Sequence, residues 1–326
     1  MVFNIKNLEC KYKTGANSVL LVDNLQIKKG EVVFFLGASG VGKSTILETL
    51  GLMNNTISTN SRTIFNFHKD GSILDMKNIW QQKESYLADF RKKNLSFIFQ
   101  STNLFPTLNA EDNVLLTPML QGTSEMQAKN NARSIFKKIF QKEYKDILGD
   151  KGVQETNIFG MKYCKVYNGK KISEMSGGQR QRLAFVRAIA SNYNILFADE
   201  PTGNLDWANA NNLMTYLIED IKSKGATSVI VSHDISLAVQ HADKIVYIEK
   251  IENVIKNTNP CKLEGEPKEI KYHQGLIDDA NTYQKHTKGG WSNLISYDGE
   301  LPPVIDDESL IDYFKDKIIK QNSKDA

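Results

Sequence analysis

Residues 31–45 read EVVFFLGASGVGKST and contain the features that decide the fold of this 326-residue chain. The apolar run Val32–Leu36 lies between Gly30 and Gly37, and such a run is typical of a strand buried on both faces of a parallel sheet. Apolar residues at helical spacing begin after Lys43. The stretch therefore predicts a strand, a glycine-rich turn and a helix.

The turn at 37–45 has the spacing G-x-x-x-x-G-K-[ST], which predicts a phosphate-binding loop. Glycines let backbone N–H groups wrap a triphosphate, and the helix N-terminus adds its positive dipole end. We expect Lys43 to reach the β- and γ-phosphates and Ser44 to give its hydroxyl to Mg²⁺. An ordinary glycine-rich turn is the alternative. The residues predicted to bind the nucleotide here are Gly37, Ala38, Ser39, Gly40, Val41, Gly42, Lys43, Ser44 and Thr45.

Three further apolar runs, at 195–198, 228–232 and 244–248, read as buried strands separated by helical patterns. Strands that alternate with helices predict an α/β fold with a mainly parallel core sheet. The first run ends at Asp199-Glu200 and the second at His233. Such folds bind ligands at the carboxyl ends of their strands, so these polar residues are candidates for a functional site.

The chain divides by pattern into a large domain, residues 1–250, and an extension, residues 251–326. The large domain opens with short strands, predicted to be antiparallel, and turns mostly helical over about 86–190, which predicts an inserted helical subdomain. Within this subdomain, about 150–172 contains an Asn-Gly pair between alternating residues, a hairpin signal. The extension is polar and rich in turn residues until an amphipathic helix at about 310–319. It is predicted either to serve partner binding or regulation, or to be loosely folded without its own task.

Composition and charge limit the class of protein. Hydrophobic residues make up 40% and charged residues 24%, as in a globular protein, and no apolar run is long enough to cross a bilayer. We expect no secretory signal, and the three well-separated cysteines indicate reduced thiols, not a zinc site. The formal net charge is +3, but the extension holds ten lysines against fourteen acidic residues. The basic remainder suits a nucleotide or an anionic membrane face, or it is ordinary solvated surface.

A second anion-binding device follows at Ser176-Gly177-Gly178-Gln179, at the start of a predicted helix. The phosphate loop is already complete without it, so a second grip makes sense if it holds the nucleotide of another copy. Here the sequence, over roughly residues 1–250, resembles the ABC ATPase family, whose signature is Ser-Gly-Gly-Gln before such a helix. The resemblance implies that Ser176, Gly177, Gly178 and Gln179 bind ATP, and that two chains act as a homodimer.

The resemblance also implies roles for the strand-end residues. The run 195–200 looks like the Walker B strand, in which Asp199 holds Mg²⁺ and Glu200 orients and polarises the attacking water. His233 matches the switch histidine, which contacts the γ-phosphate and braces Glu200. Gln100 matches the Q-loop glutamine, a ligand of Mg²⁺ and water.

Two further positions follow from the same resemblance. Asp206 ends a segment that looks like the D-loop, which lines the dimer seam and the nucleotide; a simple turn is its plainer interpretation. Tyr12 stands where the family stacks an aromatic ring on adenine, with core packing or simple exposure as the alternative.

Residues 199–206 and 104–114 are similar to those of the lipoprotein-releasing, macrolide-exporting and cell-division ABC ATPases. That similarity implies a cytoplasmic ATPase, peripheral on the inner face of the cell membrane. It drives a separate permease, for export, lipoprotein extraction or mechanotransmission, and the segment around Phe105 to Val114 receives the permease's coupling helix. One departure is the interval from Gln100 to Ser176, which at 76 positions is longer than the group leads us to expect. We expect the extra material to be an insert at about 150–172.

The sequence therefore predicts an ABC-type P-loop ATPase that uses ATP and Mg²⁺, forms a homodimer, binds a membrane permease and binds no nucleic acid. Two alternatives stay open. The first is a soluble ABC-type ATPase that acts on nucleic acid or ribosomes, and the second is a non-catalytic dimer switch that responds to ATP. Intact Lys43, Asp199, Glu200 and His233 favour catalysis over the switch.

Overall fold

The computed structural model describes most of the chain and divides it into two compact units. The first unit comprises residues 1–89 and 225–326, and the second comprises residues 90–224. Each unit has its own core. The residues that the structure describes are 1–12, 19–149, 154–158, 161–165, 169–203, 205–250, 275–286, 290–294 and 304–323.

The strands are short, and most of those that form the core are fully buried. They are β1 (Phe3–Cys10), β2 (Leu20–Ile27), β3 (Val32–Leu36), β4 (Ile57–Ser58), β5 (Ile64–Lys69), β6 (Ser72–Asp75), β7 (Leu95–Ile98), β8 (Gln154–Ile158), β9 (Met161–Lys165), β10 (Ile195–Asp199), β11 (Thr227–Val231), β12 (Lys244–Tyr247), β13 (Glu249–Lys250), β14 (Gly275–Ile277), β15 (Thr282–Lys285) and β16 (Trp291–Asn293).

The α-helices are α1 (Lys43–Leu50), α2 (Glu84–Asn94), α3 (Ala110–Leu120), α4 (Glu125–Phe140), α5 (Tyr144–Leu148), α6 (Gly177–Ala190), α7 (Trp207–Lys224), α8 (Ile235–His241) and α9 (Asp307–Ser323). Single 3₁₀ turns stand at Ile79–Gln81, Gln141–Glu143, Ile172–Glu174 and Asp279–Asn281. None of the helices in the described part of the chain is both long enough and apolar enough to cross a membrane.

The first unit contains the predicted antiparallel N-terminal strands. β1 pairs with β2 and β5, and its buried residues lie against the core, among them Phe3, Ile5 and Leu8. β6 extends the sheet beyond β5, and β14 adds to β2 on the other side in parallel register. The extension therefore contributes an inner strand to this sheet, and β13 pairs antiparallel with β14 at its end.

The second sheet of the same unit has β3 at its centre, between β11 and β12 in parallel register. All five residues of β3 and of β11 are buried, which fits the continuous apolar runs in the sequence. Beyond β12 the sheet continues with β15 and β16, each antiparallel to its neighbour. The core sheet is therefore mainly parallel, with an antiparallel edge built by the extension.

Helix α9 covers this edge through a cluster of aromatic rings. Phe314 is fully buried, stacks on Tyr247 with ring centroids 5.5 Å apart, and meets Tyr283 edge to face at 5.2 Å. Trp291 of β16 is also fully buried, and its indole Nε1 donates to Asp307 Oδ1 at 2.9 Å. Residues of the extension thus share a core with the sheet that contains β3 and β12.

The second unit combines two parallel strands with a set of packed helices. β7 pairs with β10, so that Ile98 lies beside Ala198. Helices α3, α4 and α6 pack on one another, and α6 buries most of its length, including Leu183, Phe185 and Val186. The unit places the carboxyl ends of its two strands at one edge.

The predicted insert contains a hairpin, formed by β8 and β9. The hairpin precedes the Asn168-Gly169 pair at which the sequence placed the turn, and Asn168 lies outside the described residues. Gly169 has φ +72° and returns the chain to the helices, because Lys170 N then donates to Ile147 O at 2.9 Å. The hairpin therefore lies before the predicted turn, and Gly169 is the point at which the chain leaves the hairpin and returns to the helices.

Candidate active site

The predicted phosphate loop joins β3 to α1 through backbone conformations that favour glycine. Gly40 and Gly42 have φ angles of +78° and +98°, and Gly42 immediately precedes α1. At Gly37, φ is +148° and a Cβ atom would lie 2.7 Å from the carbonyl oxygen of Ile248. Ser39 is exposed. The three glycines are therefore required by conformation or close packing, as a loop that brings its backbone near a ligand needs.

Lys43, the first residue of α1, points back over this turn. Its side chain is only 6% exposed, and Nζ donates to Gly37 O at 2.8 Å and to Ala38 O at 2.6 Å. Val41, two residues before Lys43 in the loop, is also buried. The ammonium group and the helix N-terminus together give the turn the positive character that a phosphate requires.

Ser44 and Thr45 differ in exposure. Ser44 is exposed, and Thr45 is buried against the core of the first unit.

The predicted Mg²⁺ ligands share one kind of donor atom. The hydroxyl of Ser44, the amide oxygen of Gln100 and the carboxylate of Asp199 are all hard oxygen donors, which is the donor chemistry that Mg²⁺ prefers. The predicted ligands therefore fit Mg²⁺ by their chemistry.

Tyr12 lies beside the helix that follows the phosphate loop. Its hydroxyl donates to Glu48 Oε2 at 3.0 Å and lies 3.2 Å from Thr45 Oγ1. Burial of the half-buried ring raises the pKa of Tyr12. The aromatic ring is thus tied to the first two turns of α1, and Glu48 is a contact that the sequence did not predict.

His233 leaves the core sheet at the same edge as the phosphate loop. β3 and β11 are parallel, with Phe35 beside Val231, so the residues that follow these two strands leave the sheet at the same edge. His233 is exposed. Its neighbour Asp234 has a structural role, because its Oδ1 accepts from Leu237 N at 2.9 Å and caps α8.

Gln100, Asp199 and Glu200 are likewise brought to one edge, in the second unit. Gln100 follows β7, Asp199 ends β10, and these two strands are parallel and adjacent. Gln100 is exposed, whereas both carboxylates are partly buried. Glu200 has φ +46°, a left-handed conformation that is costly for a residue with a side chain.

The Ser-Gly-Gly-Gln segment caps α6 in the way the sequence predicts for a helix start. Ser176 Oγ accepts from Gln179 N at 3.2 Å, and Gln179 Oε1 accepts from Ser176 N at 3.1 Å, which together form a capping box. Gly177 is exposed, and a Cβ built on it would meet no atom within 4 Å, whereas one on Gly178 would lie 3.4 Å from Leu205 Cδ2. The open turn leaves a helix N-terminus available to an anion.

Residues that the sequence did not single out hold this segment in place. Gln179 Nε2 donates to Glu143 Oε2 at 2.8 Å, and Lys170 Nζ donates to Gln179 Oε1 at 3.3 Å. Arg182 pairs with Glu143 at 3.1 Å and lies over the ring of Phe140, 5.0 Å from its centroid. The capping glutamine is therefore tied to one residue that precedes the insert, Glu143, and to one near the end of the insert, Lys170.

Asp206 is turned onto its own helix. Its Oδ1 accepts from Asn209 N at 3.0 Å and its Oδ2 from Asn209 Nδ2 at 2.6 Å, at the start of α7. These hydrogen bonds lower the pKa of Asp206. The carboxylate thus caps α7, and its predicted contribution to nucleotide binding stays a prediction.

These features define a class of protein. A glycine-rich loop between a buried strand and a helix, with a lysine folded over it, is the phosphate site of a P-loop nucleoside triphosphatase. Residues 21–203 match the family model described as "ABC transporter". The chain belongs to the ABC transporter family, as its ATPase component.

Curated relatives support this assignment. The chain is 30% identical over 260 residues to the lipoprotein-releasing system ATP-binding protein LolD of Pseudoalteromonas translucida, covering 79% of this chain and 97% of that protein. It is 32% identical to the bacitracin export ATP-binding protein BceA of Halalkalibacterium halodurans, covering 76% and 85%. It is 31% identical to the macrolide export ATP-binding/permease protein MacB of Campylobacter fetus, with 85% of this chain covered but only 38% of the longer relative.

A solved structure agrees with the fold. The ATP-binding cassette MJ0796, a dimer in a post-hydrolysis state bound to ADP and Pi, superposes with a TM-score of 0.57 at 27% identity, covering 75% of this chain and 93% of that one. The predicted fold class and ATPase activity are confirmed, and ATP is the nucleotide that the chain uses.

Proposed function

We propose that two copies of this chain clasp two ATP molecules between them. Each ATP is held by the phosphate loop of one copy and by the Ser176-Gly177-Gly178 turn of the other. The observation that carries this proposal is the open N-terminus of α6, where Gly177 is exposed and leaves room around its backbone. A single chain has one phosphate loop, so this second anion site needs a nucleotide held by a second chain.

In this arrangement each proposed residue has its own role in ATP hydrolysis. Glu200 orients and polarises the attacking water, and His233 contacts the γ-phosphate and braces Glu200. Lys43 stabilises the negative charge that develops on the phosphate. Bound Mg²⁺ neutralises phosphate charge, and Ser44, Gln100 and Asp199 are its proposed ligands.

The decisive experiment is the Glu200→Gln variant, analysed by light scattering after gel filtration. We expect it to dimerise with Mg-ATP and to hydrolyse ATP at least about 100-fold more slowly, because it binds the nucleotide but cannot activate water. A variant that stays monomeric with Mg-ATP would contradict the clasp. A variant that hydrolyses ATP at the parent rate would show that Glu200 has a different role.

A second substitution tests the turn itself. Gly177→Glu places a carboxylate where the partner's phosphate would lie, and the open space at this position allows the chain to fold. In the Glu200→Gln background it should bind ATP as before but remain monomeric, because like charges repel. The matched control is Ser85→Glu, since Ser85 is exposed in the first turn of α2, which is also a helix N-terminus. It should leave the dimer intact.

We further propose that the dimer drives a separate membrane permease, for export, lipoprotein extraction or mechanotransmission, and lies on the cytoplasmic face of the membrane through that partner. The names of the relatives support a transport role.

The proposed docking site for the permease includes Phe105. This residue is 49% exposed, while its backbone N–H and C=O are both hydrogen-bonded to the side chain of the fully buried Asn113. A rigid loop thus presents an apolar ring. Phe105→Ser should abolish co-purification with the permease and leave the ATPase activity of the free chain unchanged; retained co-purification would contradict this docking site.

A further inference from the structure

One buried polar side chain on α6 has no part in the chemistry described so far. Gln181 is 0% exposed, and its Nε2 donates to the carbonyl oxygen of Pro201. Its Oε1 accepts no hydrogen bond from the described residues. An apolar residue of the same size would avoid the cost of burying this amide, so a packing role alone does not explain the glutamine.

The bond reaches the loop that carries Glu200. Pro201 directly follows Glu200, whose φ of +46° lies in the left-handed region. The loop turns at once, because Gly203 N donates to Glu200 O at 3.2 Å and Leu205 N donates to Thr202 O at 3.0 Å. A non-glycine residue persists in this conformation only where its surroundings hold it.

Helix α6 supplies that support along one face. Gln181 and Gly178 are three residues apart and therefore lie on the same side of the helix. Gly178 faces Leu205, whose Cδ2 would be 3.4 Å from a Cβ at that position. The helix therefore meets the loop at its start, through Pro201, and at its end, through Leu205. Because α6 is buried along most of its length, it is a firm base for both contacts.

We propose that Gln181 is a positioning residue for hydrolysis: its amide holds the Pro201 carbonyl and so keeps the preceding Glu200 in its left-handed conformation. This inference rests on the role proposed for Glu200 as the residue that activates water. Without the bond, the loop relaxes, and the Glu200 carboxylate spends less time where it can activate water. A displacement of this kind reduces the rate of the chemical step and leaves ATP binding nearly unchanged.

The first test compares Gln181→Leu, which has similar size but no donor, with the parent. We expect kcat for ATP hydrolysis to fall at least about tenfold while KM stays within about twofold. The matched control is Asn94→Leu, since Asn94 is another buried amide of the second unit, 5% exposed, and donates to Phe90 O at 2.8 Å. The control should lose stability but keep its kcat. A parental kcat in Gln181→Leu, or an equal loss in Asn94→Leu, would overturn the proposal. Gln181→Met serves the same test if the leucine variant does not fold.

Gln181→Glu provides a readout that a purely structural role would not move. A buried carboxyl group has a raised pKa, and only its protonated form donates a hydrogen bond to the Pro201 carbonyl. The activity of this variant relative to the parent should therefore rise as the pH is lowered from 8.5 to 6.5. A ratio that is constant with pH would count against the proposed bond.

A double variant separates failure of this inference from failure of the proposed function. In the Glu200→Gln background, Gln181→Leu should slow residual hydrolysis by less than about twofold, because the residue it positions is already disabled. A full further tenfold loss would show that Gln181 acts elsewhere. If Glu200→Gln alone keeps the parent rate, the proposed role of Glu200 fails first. If Glu200→Gln is inactive and Gln181→Leu is not, only the positioning role is wrong.

Discussion

At the scale of single residues, the phosphate loop shows how backbone geometry selects an amino acid. Gly37 combines φ +148° with a Cβ position 2.7 Å from Ile248 O and 3.1 Å from Val41 Cγ2. Gly30, at the turn before β3, has φ +80° but no atom within 4 Å of its Cβ position. Alanine substitutions at these two positions therefore distinguish the cost of steric crowding plus backbone strain, at Gly37, from the cost of backbone strain alone, at Gly30.

Gly37→Ala should lower the free energy of unfolding by at least about 2 kcal/mol, because the new methyl group displaces the backbone as well as straining it. Gly30→Ala should cost only about 1 kcal/mol, from conformation alone. Urea unfolding followed by circular dichroism measures both. Equal losses would show that the contact with Ile248 relaxes freely and that packing does not constrain Gly37.

A second prediction concerns Glu48, which accepts a hydrogen bond from the Tyr12 hydroxyl and another from Asn54 Nδ2 at 2.7 Å. If Tyr12 stacks on adenine, Glu48→Ala should raise the KM for ATP about three- to tenfold with little change in kcat, since a hydrogen bond of about 1 kcal/mol that orients the ring is lost. Tyr12→Phe keeps the ring and loses the same bond, so it is the matched comparison. The double variant should be no worse than either single one. Additive losses would mean that Glu48 acts independently of Tyr12.

Motif residues could be predicted from the sequence, whereas their supports could not. Lys43 and Glu200 stand at positions with a recognisable spacing. Glu48 lies in α1 and Glu143 in a 3₁₀ turn. Nothing in the local sequence indicates which residues these two side chains contact in the folded protein. Gln181 did leave a signal, because it shares a helix face with the buried Ala184, Phe185 and Ala188. A polar residue that lies on the apolar face of a helix indicates a buried side chain that makes a hydrogen bond.

At the scale of elements, long apolar runs predicted the core strands well. Val32–Leu36 forms β3, and the runs at 195–198, 228–232 and 244–248 coincide with β10, β11 and β12 to within about one residue. Strands β14, β15 and β16 were missed. Each is three or four residues long and gains its stability by pairing with a sheet that already exists, so local sequence carries almost no signal for it.

The junction of α8 with β15 leads to a prediction about pH. Lys285 Nζ donates to Val239 O at 3.0 Å in the last turn of α8, next to His241. Burial, and secondarily the charge of Lys285, lower the pKa of His241. The folded chain therefore takes up a proton at His241 less readily than the unfolded chain does. The stability that this difference provides is present above the unfolded pKa of about 6.5 and is lost as the pH falls below it.

Urea unfolding at pH 5.5, 6.5 and 7.5 should show this loss, and His241→Gln should make the dependence on pH shallower. Lys285→Met should reduce the dependence only in part, because burial is the larger cause of the shift. The same slope in His241→Gln as in the parent would assign the acid sensitivity to other groups.

At the scale of the whole molecule, the extension is where the sequence was least informative. Its acidic, turn-rich composition suggested either a partner-binding segment or a loosely folded one. The described residues 275–286, 290–294 and 304–323 extend both sheets of the first unit, and Phe314 of α9 packs on Tyr247 and Tyr283. Composition averaged over 76 residues conceals the few that matter, since Trp291 and Phe314 are isolated aromatics in a polar context.

The extension should therefore be required for a stable ATPase core. Phe314→Ala should reduce the free energy of unfolding by about 3–5 kcal/mol, because it leaves a cavity between Tyr247 and Tyr283 that helix α9 cannot close without losing its other contacts. Ile319→Ala, on the same helix but 65% exposed, should change it by less than about 0.5 kcal/mol. Urea unfolding of the full-length chain measures both.

A chain that ends at residue 250 tests the same dependence without a point substitution. It exposes the open edge of β12 together with Tyr247, and an unpaired edge beside an exposed apolar face promotes association between chains. We expect this shortened chain to aggregate and to bind the dye ANS, whereas Phe314→Ala, which keeps the strands, should remain soluble at low temperature. If the shortened chain is instead monomeric and hydrolyses ATP at the parent rate, the nucleotide-binding sheet is stable alone. The extension would then be an attachment to a finished fold and not a part of its core.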